Sequence, residues 1–475
     1  MKTRRFFNSL FGSVLAVLAG CAVGPNYRAP KPAMPADWKD APKGVTTNHP
    51  AELAAWWKTL HDPKLDSLVE RAVQANYDLK AAEARVRSAR ALRGLVAADF
   101  IPTIGASASA TTARRSANAQ VFQSRALDSD TYQMGFDASW EIDIFGGRRR
   151  AYQAATADMQ AVEADRNAVL VTLLAEVARN YVDFRSTQQR LLIARQNIAA
   201  QQEAVDISQL RFDKGLSSEL DVSQAKSLLA ASKSTLPNFE TALKQSSFRL
   251  SVLLGQQPGS LDAELATESA IPAMPPEVPA GLPSELLLRR PDIRRSERQL
   301  AGVTARIGVA TAELFPKFYL TGAMGYQSLS AENLIEPASK FWSAGPVVRW
   351  RLLEYPRLKQ QINITTAQQE QVLAQFNQVV LLSLEEVENA LVAYGNEQLR
   401  HQSLSESVAQ SRRSLELANV LYTAGVGEFL NVLIAQRALF ESEDALVQSR
   451  RTMTQNAVAL YKALGGGWQT AVKTN

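Results

Sequence analysis

The stretch YQMGFDASWEIDI, residues 132–144, decides the fold class. Apolar side chains such as Tyr132, Phe136 and Trp140 occupy every second position, and small or polar side chains lie between them. This period of two is typical of a β-strand with one apolar and one polar face. A tilted strand of about 9 to 11 residues is long enough to cross a bilayer. The stretch therefore predicts a membrane-spanning strand, although one strand of a soluble sandwich would show the same alternation.

Three other stretches predict partners for this strand. Residues 103–111 alternate alanine with serine and threonine, and residues 316–328 and 341–353 repeat the hairpin in the second half of the chain. Four strands cannot close a barrel, because the smallest membrane barrels have about eight. An open sheet edge in lipid costs several kcal/mol for each unpaired backbone group. We therefore expect several copies to share one barrel, of eight strands in a dimer or twelve in a trimer.

A glycine-containing turn occurs twice in the chain. RFDKGLSSELDVSQAKSLL, residues 211–229, has the same layout as LYTAGVGEFLNVLIAQRALF, residues 421–440, with Gly215 corresponding to Gly425. The offset continues through the helix that follows each turn. A repeat of this length indicates one architecture of two similar halves, each with a helix, a hairpin, a very long helix, a turn and a long helix.

The predicted long helices have both apolar and polar residues at the seam positions, where a helix contacts its neighbour. Residues 148–212 contain no proline, which predicts a helix about 100 Å long. Apolar residues recur every seven positions, but so do polar ones, whereas a dry two-stranded coiled coil would have apolar residues at both seam positions. The pattern predicts a helix in the wall of a water-filled tube. His401 replaces Leu191 in the second half and is interpreted as a seam residue, and Pro237 is expected to kink or split its helix.

The N-terminus predicts export and lipid attachment. Three basic residues precede an apolar run, residues 6–19, which is too short to span a membrane and fits a signal peptide. The run ends in LAGC, a bacterial lipobox, in which the only cysteine, Cys21, becomes the lipidated first residue of the mature chain. Ala22 follows where an aspartate would resemble an inner-membrane retention signal, which favours the outer membrane. A lipid anchor tethers a protein without spanning the bilayer.

Composition excludes several other classes. The net charge of +5 is spread along the helices and gives no nucleic-acid-binding run. No HExxH, GxSxG, P-loop or CxxC arrangement occurs, and the three histidines have no evident catalytic partner. We therefore expect no enzyme, no catalytic residue, no metal and no cofactor apart from the covalent lipid on Cys21.

The predicted organisation has six segments. Helical pattern begins near Pro63 and stops at Pro102, and a proline-rich linker separates the two repeats. The segments are a signal peptide (1–20), a lipidated extended segment (21–62), repeat 1 (63–259, hairpin about 102–145, long helices about 146–255), the linker (260–283), repeat 2 (284–467, hairpin about 316–353, long helices about 355–464) and a tail (468–475).

The chain resembles the outer membrane factors, the TolC-like channels of efflux and secretion systems, especially the lipidated drug-efflux subgroup of OprM/NodT type. The resemblance covers nearly the whole mature chain and rests on CAVGPNYRAP, WEIDIFGGRRR, GLSSELDVSQAK, GVGEFLNVLIAQR, LPSELLLRRPDIRRSE and LYKALGGGW in this order. It implies a mainly helical fold with a membrane part, in which a homotrimer forms a 12-stranded outer-membrane β-barrel, four strands per chain, continued by a long periplasmic α-helical barrel.

The resemblance also implies a function. The channel would be the exit duct of a tripartite efflux system, conducting drugs or other small toxic molecules from an inner-membrane pump of RND type and a periplasmic adaptor, the membrane fusion protein. Two alternatives stay open: an exit duct for protein secretion, and a lipid-anchored coiled-coil scaffold without a pore. The scaffold would not explain the four alternating strands.

The repeated turns are the predicted functional sites. As periplasmic tips they would contact the adaptor, and the helices that follow would close the tube. The adaptor-contact residues are Gly215, Leu216, Ser217, Ser218, Gly425, Val426, Gly427 and Glu428, and the periplasmic gate residues are Leu430, Asn431, Ile434, Arg437, Leu220 and Asp221. Asn431 and Ile434 occupy positions that are often acidic in the family, so we expect apolar closure by Leu430 and Ile434, with Arg437 bonding a neighbouring helix.

Overall fold

The computed structural model describes residues 22–39, 42, 45–46, 53–114, 116, 118, 128–273 and 278–469. The predicted signal peptide and Cys21 lie outside these residues. The chain divides into two compact units. The first contains the N-terminal segment up to Lys31 with Val86–Val162 and Ser296–Phe376, and the second contains Pro32–Arg85, Glu163–Arg295 and the chain from Asn377 onward.

The two halves of the sequence fold into the same order of elements, with a pair of long helices of 67 and 35 residues in the first half and of 69 and 35 residues in the second. The elements are α1 (Pro63–Ala75), α2 (Tyr77–Ala98), β1 (Thr103–Arg114), β2 (Asp128–Ile142), α3 (Gly147–Asp213), α4 (Glu219–Leu253), α5 (Pro291–Ala312), β3 (Lys317–Ser328), β4 (Lys340–Arg349), α6 (Tyr355–Thr423) and α7 (Phe429–Ala463).

Short elements connect these. Two-residue strands pair in parallel, and the others are single helical turns. They are the strands Val45–Thr46 and Val278–Pro279, the 3-10 turns Trp56–Leu60, Pro283–Glu285, Pro337–Ser339 and Leu352–Glu354, and the α-helical turns Asp262–Leu265 and Leu286–Arg289. Within the described part of the chain, no helix combines the length and the apolar character that crossing a membrane requires.

The four long strands form one antiparallel sheet in the order β1-β2-β3-β4. The hairpin prediction is confirmed, with two corrections at strand ends. The predicted alternation to Ile144 ends at Ile142, and the last strand ends at Arg349 instead of residue 353, where a 3-10 turn follows. Equivalent tryptophans lie near these two strand ends. Trp140 Nε1 donates to the Phe100 carbonyl at 2.9 Å, and Trp350 Nε1 donates to the Leu314 carbonyl at 3.0 Å.

The first helical stretch is interrupted, which the sequence pattern did not predict. Between α1 and α2, Asn76 has extended backbone angles (φ −59°, ψ 131°). Its side-chain oxygen accepts a hydrogen bond from the Leu79 amide at 3.0 Å, and its side-chain nitrogen donates to the Leu253 carbonyl at 2.9 Å. Asn76 therefore starts α2 while binding the end of α4, because a short amide side chain competes with the helical backbone.

Pro237 does not split α4, which continues from Glu219 to Leu253. The prediction of a split is wrong. The hydroxyl groups of Ser234 and Thr235 donate to the carbonyls of Ala231 and Ser232 at 2.7 and 2.8 Å, just before the proline. Proline removes only the amide donor that would bind the Lys233 carbonyl, and the helix continues on both sides of this missing bond.

The second unit has an aromatic core around the end of α7. Trp56 is buried and stacks on Tyr461 with ring centroids 5.2 Å apart. Gly467 adopts φ +105°, and an added Cβ there would lie 2.4 Å from Leu174 Cδ1. The glycines of LYKALGGGW therefore let the chain pass closely over this core, because a larger side chain would clash.

Candidate functional site: a two-faced sheet and two helix turns

The sheet has one apolar and one polar face. In an antiparallel pair, directly opposed residues lie on the same face, so the register assigns each side chain. The apolar face carries Ile104, Ala106, Ala108, Met134, Phe136, Ala138, Trp140, Phe318, Leu320, Met324, Trp342 and Val348. The polar face is dominated by serine, threonine, glutamine and glycine. Several apolar-face side chains are largely exposed in the single chain, among them Trp342 at 80%.

The outer strands of this sheet are unpaired on one side. β1 and β4 are the edges of the four-stranded order among the described residues, with 12 and 10 residues respectively. Long edges attract further strands, because their backbone donors and acceptors are free to pair. An apolar outer face together with two free edges fits a sheet that is completed by other copies in a bilayer.

The first turn, between α3 and α4, is closed at both helix ends. Gly215 has φ +72°, and its amide donates to the Phe212 carbonyl while the Leu216 amide donates to the Arg211 carbonyl, both at 2.8 Å. This is the Schellman pattern that ends helices at a left-handed glycine. Next, the Ser218 hydroxyl accepts from the Asp221 amide at 3.3 Å, and the Asp221 carboxylate accepts from the Ser218 amide at 3.2 Å.

The second turn, between α6 and α7, ends its first helix in the same way. Gly425 has φ +78°, its amide donates to the Tyr422 carbonyl, and the Val426 amide donates to the Leu421 carbonyl, both at 3.1 Å. The start of α7 differs, because Glu428 has the position of Ser218 and makes no side-chain capping bond. The repeated glycines therefore have the predicted role of reversing the chain, while the two caps are chemically different.

Both turns lie next to one apolar cluster within the second unit. Ala204, Val205, Ala225 and Leu229 from the first helix pair pack with Phe429, Val432 and Leu433 from α7. Tyr422 contacts Phe429 with ring centroids 5.1 Å apart, and the Arg211 guanidinium lies 4.7 Å above the Tyr422 ring. Burial raises the pKa of Tyr422, although the Arg211 charge opposes the rise. The cluster therefore joins the two helix pairs near their turns.

The predicted gate residues lie on the side of α7 away from this cluster. Leu430 and Ile434 are 43% and 57% exposed, whereas Val432 and Leu433 are buried. Asn431 and Arg437 are also exposed. Arg437 Nε donates to Glu441 of its own helix at 2.7 Å. In the single chain the expected bond to a neighbouring helix is therefore replaced by a bond within α7.

The corresponding residues of the first half differ in chemistry. Leu220 is 63% exposed, like Leu430, but the position equivalent to Ile434 is Gln224. Asp221 is half-buried and engaged in the cap. Of these two pairs of equivalent positions, only the pair on α7 is therefore apolar at both positions.

The predicted adaptor-contact residues lie at the turns themselves. Leu216 and Val426 are 65% and 77% exposed, and Ser218 and Glu428 are exposed as well. Ser217 and Gly427 are half-buried. Ser217 donates to the Ser208 carbonyl at 3.4 Å. The turns thus present two apolar side chains at equivalent positions, while their small neighbours support the backbone.

A further arrangement in the first unit holds the segment that follows Cys21. Arg150 is buried, and its guanidinium donates to the carbonyls of Ala22, Val23 and Gly24 at 3.3, 3.0 and 3.2 Å. It also donates to Asn26 Oδ1 at 2.8 Å. Four acceptors from one short segment therefore converge on a single side chain.

Glycines make this arrangement possible. Gly24 has φ +85°, and an added Cβ there would lie 2.5 Å from the Gly308 Cα atom. An added Cβ at Gly308 would lie 2.8 Å from Arg150 Cδ. Sequence reasoning quoted the motif around Arg150 only for its resemblance and did not identify this contact. The spacing of CAVGPN and FGGRRR contains no periodic signal that could have revealed it.

His401 is placed on α6 as a half-buried residue. Burial lowers its pKa, the nearby Arg450 charge lowers it further, and Glu397 opposes both effects. The described residues contain no group of three or more histidine, cysteine, aspartate or glutamate side chains that could hold a metal ion. Burial and the Arg450 charge therefore make protonation of His401 unfavourable.

A free-edged amphipathic sheet and paired long helices that reverse at exposed turns are the features of an oligomeric membrane channel. Residues 68–256 and 282–466 match the family model described as outer membrane efflux protein, and the chain belongs to this family.

Relatives and solved structures extend over almost the whole chain. It is 31% identical to the pyoverdine export outer membrane protein OpmQ of Pseudomonas aeruginosa, covering 96% of each chain. It is 31% identical to the toluene efflux pump outer membrane protein TtgI of Pseudomonas putida, covering 98% of this chain and 99% of the relative. The solved outer-membrane channel OprN superposes with a TM-score of 0.89 at 37% identity, covering 94% of this chain and 100% of that one.

These matches confirm the predicted family, fold class, function and location. The chain is a mainly helical outer-membrane channel with an internal repeat, whose sheet contributes four strands to a trimeric barrel. It is the exit duct of an efflux system and works with a periplasmic adaptor and an inner-membrane pump. Because the family consists of transport conduits, the prediction of a protein without enzymatic activity is also confirmed.

Proposed function

We propose that this channel is a lipid-anchored exit duct for small organic solutes, closed at rest by apolar contacts of α7. The observation that carries the proposal is the exposed pair Leu430 and Ile434, which lies one helical turn apart beside a glycine turn. Burying two such side chains between symmetry-related copies would stabilise a closed end by about 1.5 to 3 kcal/mol for each residue. Opening would require this apolar surface to separate.

The two turns are the proposed contact with the adaptor. Leu216 and Val426 lie at equivalent positions and are the most exposed apolar residues of the turns. A partner with an apolar helical surface could cover both turns of each chain in the same way, because both helix ends share one backbone conformation. The surrounding Ser217, Ser218, Gly427 and Glu428 would form a polar rim, as interfaces of this kind commonly have.

The anchor is the third part of the proposal. Acylation of Cys21 would attach lipid one residue before Ala22, which Arg150 holds through its carbonyl. The Val23 amide also donates to the Phe145 carbonyl at 3.0 Å, shortly after β2 ends. The lipid would therefore enter the bilayer beside the sheet, which fits an outer-membrane protein anchored on its periplasmic side.

The substrates and the pump class follow from the relatives and the resemblance. One relative is named for pyoverdine export and another for a toluene efflux pump. We propose small organic molecules, including drugs and solvents, as the transported class, and a pump of the RND type as the energy source. A deletion strain complemented with this chain should regain its resistance to such compounds only when a matching adaptor and pump are present.

Conductance of the purified protein tests the gate. In planar bilayers the wild type should conduct rarely at rest, and Leu430→Ala should open it. Light scattering on the detergent-extracted particle, with detergent subtracted, should give the mass of three chains for both proteins. A stable monomer would contradict the shared barrel, and an unchanged resting conductance of a trimeric Leu430→Ala protein would contradict the apolar gate.

Acylation is tested separately by mass spectrometry of the mature N-terminus. Cys21→Ser should lose the lipid mass, and Arg150→Met should keep it while releasing the N-terminal segment to added protease. Arg149→Met is a matched control, because Arg149 binds Asp143 and the Asp143 and Ile144 carbonyls instead of the N-terminal segment. Equal protection of the segment in both variants would contradict the assigned role of Arg150.

A further inference from the structure

Asp137 is the one described carboxylate in the middle of the polar face of the sheet, away from the strand ends. It lies opposite Gly105 on β1 and Ala323 on β3. The other charged residues that the register assigns to this face are Glu141, Lys317 and Arg349, which lie at the ends next to the helices. A charge in the middle of an otherwise neutral wall has no structural partner to explain it.

The pairing of these four charges separates them into two groups. Glu141 accepts from Arg148 at 2.9 Å, and Lys317 bonds Glu313. The side chains of Asp137 and Arg349 form neither a hydrogen bond nor an ion pair with any described residue, although Arg349 lies 4.9 Å above the Tyr319 ring. These two charges are therefore available to solutes that pass along the polar face.

Gly105 keeps the space in front of Asp137 open. An added Cβ at Gly105 would lie 3.0 Å from Asp137 Oδ1. Any larger residue there would press on the carboxylate or displace it. The sheet therefore provides room for an exposed carboxylate at this height.

Asp137 and Arg349 lie at different heights along the sheet. Arg349 is opposite Lys317, and Asp137 is opposite Ala323, six residues further along β3. At about 3.4 Å for each residue, the two levels are about 20 Å apart along the strand. With the strand tilt of about 35 to 45° in membrane barrels, this corresponds to a height difference of about 15 Å. Each level would carry three equal charges in a trimer, and the separation exceeds the screening length of about 10 Å at 0.1 M salt. Solutes would therefore meet the two belts one after the other.

We propose that Asp137 forms a cation-selective belt in the strand section and that Arg349 forms an opposing belt at the helix-side end. The inference rests on the proposed duct, in which the polar face lines the water-filled lumen. Rings of carboxylates favour cations and rings of arginine or lysine favour anions in channels. A cationic solute would thus be attracted at the Asp137 level after it passes the Arg349 level. Selectivity in this duct would lie partly in the strands and not only at the helix turns.

Reversal potentials under a low-salt gradient test the two belts. Asp137→Asn should lower the cation-to-anion permeability ratio by about twofold, and Arg349→Gln should raise it by a similar factor. Both shifts should disappear near 1 M salt, where the screening length falls to about 3 Å. The matched control is Asp130→Asn, because Asp130 lies on the same strand but on the other face of the sheet.

A cysteine variant guards against an effect of altered folding. The chain has a single cysteine, Cys21, so Asp137→Cys introduces the only thiol that lipid does not occupy. Labelling with an anionic thiosulfonate should restore the cation preference, and labelling with a cationic one should reverse it. If Asp137→Asn, Asp137→Cys and Arg349→Gln all keep the wild-type cation-to-anion permeability ratio, the proposed belts are wrong and the proposed duct is unaffected. If neither the trimeric wild-type protein nor the trimeric Leu430→Ala protein ever conducts, the belts and the duct are both wrong.

Discussion

At both turns the first helix ends with the same backbone hydrogen bonds, but the helix that follows begins differently. Gly215 and Gly425 end their helices with equivalent backbone bonds and φ values of +72° and +78°. The next helix begins with a reciprocal Ser218–Asp221 cap in the first half, whereas Glu428 and Asn431 occupy those positions in the second. A cap of this kind stabilises a helix start by about 1 kcal/mol. The first turn is therefore fastened more tightly than the second.

From this difference we predict that the second turn moves more readily than the first. The exposed apolar pair of the proposed gate is on α7, the helix that lacks the side-chain cap. Segments that move are drawn from the less stable parts of a protein. Because Glu428 retains a negative charge at the helix N-terminus, the second start keeps a favourable dipole interaction without a fixed hydrogen bond. We therefore expect the second helix pair to adjust more readily than the first.

The largest expected effect is a difference between the two halves of the sequence when residues at the proposed gate are changed. Leu430→Ala and Ile434→Ala should each raise the resting conductance by at least about tenfold, because the closed trimer loses three apolar side chains and each loss costs about 1.5 kcal/mol. Leu220→Ala is the matched control and should have a smaller effect, since Gln224 replaces an apolar neighbour in the first half. Single-channel recording decides this, and equal effects of Leu220→Ala and Leu430→Ala would remove the functional difference between the halves.

The next effect tests what the turns share. Gly215→Ala and Gly425→Ala should each destabilise their helix end by about 1 to 2 kcal/mol, because a non-glycine residue is strained at positive φ. An added Cβ meets nothing within 4 Å at either site, so backbone strain and not a steric clash should determine the loss of stability. Amide hydrogen exchange of the turn peptides measures it. Asn tolerates this conformation, and Gly→Asn variants as unstable as Gly→Ala would refute the strain explanation.

A smaller effect tests the caps. Ser218→Ala should speed amide exchange at the start of α4 by several-fold, corresponding to about 1 kcal/mol. The double change Glu428→Ser with Asn431→Asp transplants the first cap onto α7 and should slow exchange there by a similar factor. If the transplant also lowers the opening frequency, the uncapped start contributes to gating. If exchange at α7 does not change, the caps do not explain the difference between the turns.

The smallest expected effect concerns pH and compares His401 with Leu191. The pKa of His401 is lowered by burial and by Arg450, with Glu397 opposing, so the folded protein favours the neutral imidazole. Stability from this group is present above the unfolded pKa of about 6.5 and is lost as the pH falls through the folded pKa. His401→Leu should reduce the drop in melting temperature between about pH 7.5 and 5, and an unchanged drop would exclude His401 as a contributor.

Much of the architecture could be predicted because it depends on apolar and polar residues, and on glycines, that recur at regular spacings along the chain. The alternation around Phe136 predicts the strand and its two faces, and the repeated spacing of Gly215 and Gly425 predicts two equivalent helix reversals. Both signals depend only on neighbouring residues along the chain. The exposed gate positions followed from the resemblance, and their role stays a proposal.

The errors lie where one residue acts across a distance. Asn76 interrupts a helical pattern because its side chain binds the distant end of α4. The Arg150 guanidinium donates hydrogen bonds to carbonyls of a segment more than 120 positions away in sequence. No local period encodes these contacts, so they are visible only once the chain is folded.

The sequence by itself predicted the four strands of one chain and the reversal points, because these depend on hydrophobic period and on single residue types. Its motifs gave the resemblance to a class of channel, and its N-terminus gave the prediction of lipid attachment. Tertiary structure decided which strand residues lie opposite each other, where Arg150 holds the N-terminal segment, and which of the two turns carries a closed cap. Those features depend on register and on hydrogen-bond geometry, which a linear pattern does not specify.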